Sequence, residues 1–160
     1  MKKQIHICPI KRFYLLAAQT KAPVAAVLCT TDRIDAGKLA GINYLHLTFA
    51  DVTDDTRQDA FRMEQALQIR AFLDAATAAT ELYFCCDSGE SRSAALAAAW
   101  THYCGGDEMK IWKNIKYHPN ELVYYLQSRA CDLPITREDA QEFAAYNRSL
   151  FHKAIAQQRT

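Results

Sequence analysis

One segment of eight residues combines a nucleophile with groups that bind oxyanions, in the order Cys86, Asp87, Ser88, Gly89, Glu90, Ser91, Arg92 and Ser93. A cysteine thiolate is a strong nucleophile, and an arginine guanidinium can donate two hydrogen bonds to two oxygens of one phosphoryl group. Glycine adopts backbone angles that a side chain forbids, so a tight loop can turn consecutive amides toward an anion. The segment therefore predicts a loop that binds a phosphate group and attacks its phosphorus.

The residues on either side of this segment indicate where the loop lies in the fold. Residues 81–85 read as a short buried strand, and residues 94–100 are nearly all alanine, which favours a helix. The strand would lead through the loop into a helix N-terminus, where the helix dipole stabilises a thiolate and binds anions. The hydroxyl of Ser93, directly after Arg92, could donate to the sulfur and make it a better leaving group.

The same residues resemble the signature of the cysteine-dependent protein tyrosine phosphatases, and most of all that of the small dual-specificity type. That signature is His-Cys-x5-Arg-Ser/Thr, and here Cys85 stands where the family has histidine. The resemblance, which extends upstream to residues 49–51, implies that Cys86 is the nucleophile, that Arg92 holds the phosphate and that Ser93 assists its release. Residues 87–92 would form the phosphate-binding loop, and no metal or cofactor would be needed.

A phosphatase of this kind needs an acid that protonates the leaving oxygen and then, as a base, activates water. The family uses an aspartate that precedes the cysteine, and Asp51, Asp54 and Asp55 lie in the right part of the chain. Asp51 is the favoured candidate, because it follows residues 44–49, which alternate enough to form a strand. The other two could instead lie on a solvated loop or cap a helix that begins near residue 57.

Strands and helices alternate along the first half of the chain, which predicts an α/β fold. We expect a central, mostly parallel sheet of about four to five strands, with helices on both faces and a helical C-terminal half. The predicted strands are residues 4–8, 24–29, 44–49 and 81–85, and the predicted helices in this half are 11–19 and 57–76. In the second half, one helix is expected to start with Pro119 or Asn120 at its N-terminus, and the last helix at Thr136, with Asp139 in a capping-box position. Ligands of such sheets bind beyond the carboxyl ends of the strands, which is where the loop after residue 85 would lie.

Length and composition favour a single phosphatase-like domain that spans residues 1–160. The net charge of +1 argues against a nucleic-acid partner, and no apolar run is long enough to span a membrane. The N-terminal residues do not form the core of a signal peptide, so we expect a soluble, cytoplasmic protein. The six cysteines lack the spacing of a zinc site, and reduced thiols are expected. The side chain of Cys85 should point into the core. The alternative is that Cys85 traps an oxidised Cys86 as a disulfide.

The sequence leaves the substrate open among phosphorylated proteins and small phosphoesters. Asp87 and Glu90 place negative charge in the loop itself, which disfavours a highly anionic inositol phosphate. The main alternative to a phosphatase is a pseudophosphatase, which would bind a phosphate or phosphopeptide without turning it over. Sulfur transfer and arsenate reduction use similar loops and form a third class.

Overall fold

The sheet of the computed structural model, which describes residues 2–159, consists of four parallel strands. Its order is β1-β4-β2-β3, with every neighbouring pair parallel. The strands are β1 (Gln4–Pro9), β2 (Val24–Cys29), β3 (Asn43–Leu47) and β4 (Glu81–Cys86). The two inner strands, β4 and β2, are almost entirely buried, as an apolar run such as that of β2 predicts for a strand covered on both faces. The predicted parallel α/β sheet is confirmed.

Six α-helices lie within the described residues, and helices pack on both faces of the sheet. They are α1 (Ile10–Gln19), α2 (Met63–Ala75), α3 (Arg92–Tyr103), α4 (Met109–Trp112), α5 (Glu121–Ala130) and α6 (Arg137–Gln158). Helix α1 packs on one face through a small hydrophobic cluster, and α2, α3 and α5 contribute to the larger cluster on the other. The helical C-terminal half agrees with the prediction. None of the helices within residues 2–159 is both long and apolar enough to cross a membrane.

Helix α3 lies at the centre of the larger cluster and begins directly after the cysteine-containing loop. Its first nine residues, from Arg92 to Trp100, are all buried. Five of them are alanines, and such small side chains allow the sheet and α5 to approach the helix closely. The N-terminus of this helix is therefore held rigidly at the carboxyl edge of the sheet.

Helix α2 begins at Met63, six residues later than the predicted start at residue 57. The intervening residues form local hydrogen bonds that compete with helical ones. The carboxylate of Asp54 accepts hydrogen bonds from the amide and the hydroxyl of Thr56, at 2.9 and 2.6 Å. Arg57 pairs with Asp59, and the guanidinium of Arg62 donates to the carbonyl oxygen of Asp55 over 2.7 Å. This polar loop replaces the first turns of the predicted helix.

Two other predicted boundaries also differ from the structure. The strand predicted over residues 44–49 ends at Leu47, so residues 48–50 already belong to the loop that leads to Asp51. In the helical C-terminal half, Asp107 predicts the cap of a helix that runs through residue 115, and the structure contains only a single turn there, α4. The cap of α6 is as predicted: Thr136 and Asp139 form a reciprocal capping box.

Candidate active site

The loop of residues 87–91 joins β4 to α3 at the carboxyl edge of the sheet, where the sequence predicts the ligand site. Gly89 allows it to close, because its φ angle of 70° lies in the left-handed region. A Cβ at this position would lie 2.5 Å from the backbone nitrogen of Pro9 and 2.6 Å from the carbonyl carbon of Cys8. The end of β1 thus presses against the loop, and only glycine fits at the contact.

The thiol of Cys86 lies at the base of this loop and is 1% exposed. Its Sγ lies 3.1 Å from the hydroxyl oxygen of Ser93, and it accepts a hydrogen bond from the amide of Gly89 over 3.2 Å. Burial by itself would raise the pKa of Cys86. The Ser93 hydroxyl and the amides of Ser93, Ser91 and Gly89 act in the opposite direction and lower it overall. The sequence predicted the contact between the Ser93 hydroxyl and the sulfur, and the structure contains it; the hydrogen bond from the amide of Gly89 is an additional contact.

Two neighbouring cysteines, Cys29 and Cys85, lie in environments that differ from that of Cys86. Cys29 is its partner in the register of β2 and β4, but it is completely buried, and burial raises its pKa far above the usual range. Cys85 is also completely buried, as expected, and belongs to the cluster on the opposite face of the sheet from Cys86. Its Sγ lies 3.8 Å from that of Cys8. The structure thus gives Cys85 a core position against Cys8, rather than a contact with Cys86.

The guanidinium of Arg92 is 8% exposed and is held by two hydrogen bonds within the protein. Its Nη1 donates to the carbonyl oxygen of Phe49 over 2.8 Å, and its Nη2 donates to Oδ2 of Asp87 over 2.9 Å. Its Nε is buried without a partner among the described residues. A buried N–H group without a partner costs free energy, so an acceptor brought by a ligand would relieve that cost. Arg92 is therefore oriented by the fold and retains a donor for an oxyanion.

Asp87 holds Arg92 in place from within the loop. Its Oδ1 accepts a hydrogen bond from the hydroxyl of Thr30 over 2.5 Å, while its Oδ2 accepts from Arg92. Partial burial would raise the pKa of Asp87, but Thr30 and Arg92 together lower it, so the carboxylate remains ionised. The sequence predicted Asp87 as a residue of the phosphate-binding loop. In the structure its side chain also orients the guanidinium of Arg92.

Asp51 is the predicted acid that the structure connects to the loop. Its Oδ1 accepts hydrogen bonds from the hydroxyl of Ser91 and from Nδ2 of Asn120, both over 2.8 Å. The side chain is exposed, and no partner among the described residues occupies its Oδ2. Asp54 and Asp55 are exposed on the loop that follows: Asp54 binds Thr56, and Asp55 lies 3.9 Å from Arg137. The geometry favours Asp51 over these two, and neither of them caps α2.

The remaining predicted loop residues, Ser88 and Glu90, have exposed side chains that shape the loop itself. The Ser88 hydroxyl accepts a hydrogen bond from the amide of Glu90 over 3.2 Å. The carbonyl oxygen of Glu90 accepts one from the amide of His118 over 2.9 Å, and that of Ser91 accepts from the amide of Asn120 over 3.3 Å. The segment before α5 thus holds the outer side of the loop.

Asn120 is the site residue that the sequence interpretation left without a function. Its Oδ1 caps α5 by accepting from the amides of Leu122 and Val123, and its Nδ2 donates to Asp51 and to the carbonyl oxygen of Val52. The signal in the sequence was Pro119-Asn120 at a helix start, which predicts a cap. Spacing alone could not show that the free end of the cap would contact an aspartate 69 residues earlier.

Comparison with solved structures finds proteins of similar fold at low sequence identity. The phosphatase domain of Yvh1 from Chaetomium thermophilum is 13% identical, with 82% of this chain and 92% of that chain covered and a TM-score of 0.57. Tk-PTP in its active form is 17% identical, with 94% and 93% covered and a TM-score of 0.49. PTPMT1 is 14% identical, with 96% and 95% covered and a TM-score of 0.45. No protein-family model and no curated protein sequence matches the chain.

The match to the Yvh1 domain extends over most of both chains, so the likeness concerns the whole architecture rather than one motif. It agrees with the resemblance carried by the segment from Cys86 to Ser93. This chain has the fold of the cysteine-dependent protein tyrosine phosphatase superfamily.

Proposed function

We propose that the protein is a phosphomonoester hydrolase that works through a cysteinyl-phosphate intermediate and requires no metal ion. The observation that carries this proposal is the environment of Cys86. Its thiol has a lowered pKa and lies at the base of the loop. The guanidinium of Arg92, at the end of the same loop, is oriented by two hydrogen bonds and has a buried Nε without a partner among the described residues. A nucleophilic sulfur and a fixed positive charge are the two elements that attack on a phosphate dianion requires.

In the first step the Cys86 thiolate attacks phosphorus, forms an S–P bond and breaks the bond between phosphorus and the ester oxygen. The leaving oxygen takes a proton from Asp51, which becomes a carboxylate. Arg92 and the loop amides bind the remaining phosphoryl oxygens and stabilise their charge in the transition state. Asp51 suits this step because its Oδ1 is fixed by Ser91 and Asn120 while its Oδ2 is available for proton transfer.

In the second step a water molecule attacks phosphorus and gives one proton to the Asp51 carboxylate. The S–P bond breaks, inorganic phosphate leaves and the thiolate is restored, so the enzyme returns to its starting protonation state. The hydroxyl of Ser93, 3.1 Å from the sulfur, donates a hydrogen bond to the departing thiolate and makes it a better leaving group. We propose phosphorylated proteins or small phosphoesters as the substrates.

Hydrolysis of p-nitrophenyl phosphate in the presence of a chelator tests this proposal. Wild-type protein should release p-nitrophenol at a rate that the chelator leaves unchanged, and Cys86→Ser should abolish turnover while phosphate still binds. Turnover that survives in Cys86→Ser would exclude the assigned nucleophile. Folded wild-type protein that binds vanadate without any turnover would instead indicate a pseudophosphatase.

A further inference from the structure

An open groove of about 590 Å³ begins at the candidate active site and runs along the C-terminal helix α6. At one end it is lined by Asp51, Ser91 and Asn120, which belong to the site described above. At the other end its lining includes Arg148, Phe151 and His152. Because the two ends are continuous, a molecule whose phosphate lies in the loop would extend past Asp51 toward α6.

The wall of the groove is held rigidly by Asn147, which is 2% exposed. Its Nδ2 donates to the carbonyl oxygens of Trp112 and Tyr117, over 2.8 and 2.9 Å. Oδ1 of Asn147 lies 3.3 Å from Nδ1 of His118. Because an amide oxygen can only accept a hydrogen bond, His118 is the donor of this one. These bonds fix α6 against the segment that holds the phosphate loop, so the groove is formed before any ligand arrives.

The side chain of His118 also makes an edge-to-face contact with Phe151, with ring centroids 4.8 Å apart. The lining is thus partly aromatic and partly polar. An open groove with such a mixed lining suits a length of peptide better than a small, compact ester.

Arg148 supplies a charge in this groove that the protein itself does not use. It is exposed, and within the described part of the chain it forms no ion pair or hydrogen bond. His152, one turn further along α6, lines the same wall. Glu121 lines the groove as well, but no ion pair of 4.0 Å or less joins it to Arg148 among the described residues. An anionic group of the ligand would therefore meet an unpaired guanidinium.

We propose, on the basis of the phosphatase function above, that the substrate is a phosphopeptide and that Arg148, with His152, binds an acidic side chain next to its phosphorylated residue. A small polyanionic ester fits less well. It would hold its additional phosphates close to the loop, where the exposed carboxylate of Glu90, which forms no ion pair within the described residues, repels them. A peptide carries its second negative charge farther away, toward α6. Arg148 thus selects among substrates without contacting the reacting atoms.

The test measures binding of phosphotyrosine peptides in which a difluoromethylphosphonate replaces the phosphate, so that no turnover is needed. One peptide has only neutral flanking residues, and the others carry a single aspartate at successive positions on either side. Wild-type protein should bind at least one aspartate peptide about fivefold more tightly than the neutral one, as expected for a partly exposed ion pair. Arg148→Gln should remove that difference and leave the affinity for the neutral peptide unchanged.

Lys153→Gln is the matched control, because Lys153 is an exposed cation on the same helix that does not line the groove. It should retain the preference for aspartate. Equal affinity of the wild type for every peptide would overturn the proposal, as would equal effects of the two substitutions. A larger effect of Arg148→Gln on an inositol phosphate than on any peptide would also overturn it, in favour of a small polyanion.

Turnover of p-nitrophenyl phosphate by the same variants separates this proposal from the proposed function. That substrate has no group that reaches α6, so Arg148→Gln should hydrolyse it like the wild type. Absence of turnover in the wild type would count against the proposed phosphatase activity. The affinities for the phosphonate peptides test the role of Arg148 independently, because their measurement needs no turnover.

Discussion

Nδ2 of Asn120 donates a hydrogen bond to Oδ1 of Asp51 over 2.8 Å and so connects the start of α5 to the loop after β3. The same asparagine caps α5 through its Oδ1. One buried side chain therefore stabilises a helix with one end and positions the proposed acid with the other. These two functions can be separated by substitution, because only the second requires the amide NH₂ group.

Asn120→Ser should lower kcat about five- to tenfold and leave KM nearly unchanged. Serine is a good helix cap, but it is too short to reach Asp51, so the acid loses its orientation while α5 keeps its N-terminal hydrogen bond. Asn120→Ala should lower kcat to the same extent and reduce the free energy of unfolding by about 1 kcal/mol more than serine does. Steady-state kinetics and urea denaturation measure the two effects, and wild-type kcat in Asn120→Ser would contradict the positioning role.

Gly89→Ala should abolish phosphate binding and destabilise the protein by about 2–4 kcal/mol. Alanine would have to adopt a positive φ and would also collide with the backbone of Pro9. Gly105→Ala is the matched control, since its φ is 78° but a Cβ there would meet nothing within 4 Å. It should cost only about 1 kcal/mol and leave activity intact. Equal losses of stability in both variants would show that the contact with β1 does not constrain the loop.

Iodoacetate should alkylate Cys86 before Cys29, Cys85, Cys104 and Cys131 when the pH is near neutral, because burial raises the pKa of each of these four thiols. The pKa of Cys86 is lowered, so a larger fraction of it is thiolate than for an ordinary cysteine, whereas partial burial raises the pKa of the exposed Cys104. Because the Ser93 hydroxyl lowers the pKa of Cys86, Ser93→Ala should shift the alkylation profile to higher pH. Mass spectrometry identifies the modified residue, with Cys104 as the internal control, and an unshifted profile in Ser93→Ala would exclude the hydroxyl as a stabilising donor.

Arg92→Lys should reduce kcat/KM for p-nitrophenyl phosphate by about two to three orders of magnitude, although the charge is kept. The guanidinium donates to the carbonyl oxygen of Phe49 and to Asp87 at the same time, and it retains its Nε for the phosphate. A lysine ammonium has no planar fork with which to make these contacts together. Activity within a few-fold of wild type would mean that charge alone, without orientation, holds the phosphate.

The sequence was sufficient to predict those parts of the molecule that depend on local chemistry. The apolar run of β2, the strand before Cys86 and the capping box at Thr136 each depend on adjacent residues, and the structure contains all three. The helix predicted from residue 57 failed because side chains such as those of Asp54 and Arg62 bind nearby backbone and hydroxyl groups instead. The helical spacing of apolar residues carries no information about these competing hydrogen bonds.

Contacts between distant segments could not be predicted from spacing. The hydroxyl of Thr30 reaches Asp87 from β2's C-terminal end, and Asn120 reaches Asp51 from the start of α5. Each of these side chains is an ordinary polar residue in the sequence, and only the strand order of the sheet and the packing of α5 bring them to the loop. The roles of Asp87 and Asn120 therefore became visible only with the fold.

Trapping the covalent intermediate is the most direct test of the account. Wild-type protein and the Asp51→Asn variant would be mixed with p-nitrophenyl phosphate, quenched rapidly and digested, and the peptide that contains Cys86 would be examined for phosphate. Because p-nitrophenolate is a good leaving group, loss of Asp51 should slow hydrolysis of the intermediate more than its formation, so the variant should accumulate more phosphocysteine than wild type. Phosphate on Cys86, and none in Cys86→Ser, is the predicted result. Turnover without phosphate on Cys86 in either protein would contradict the proposed mechanism.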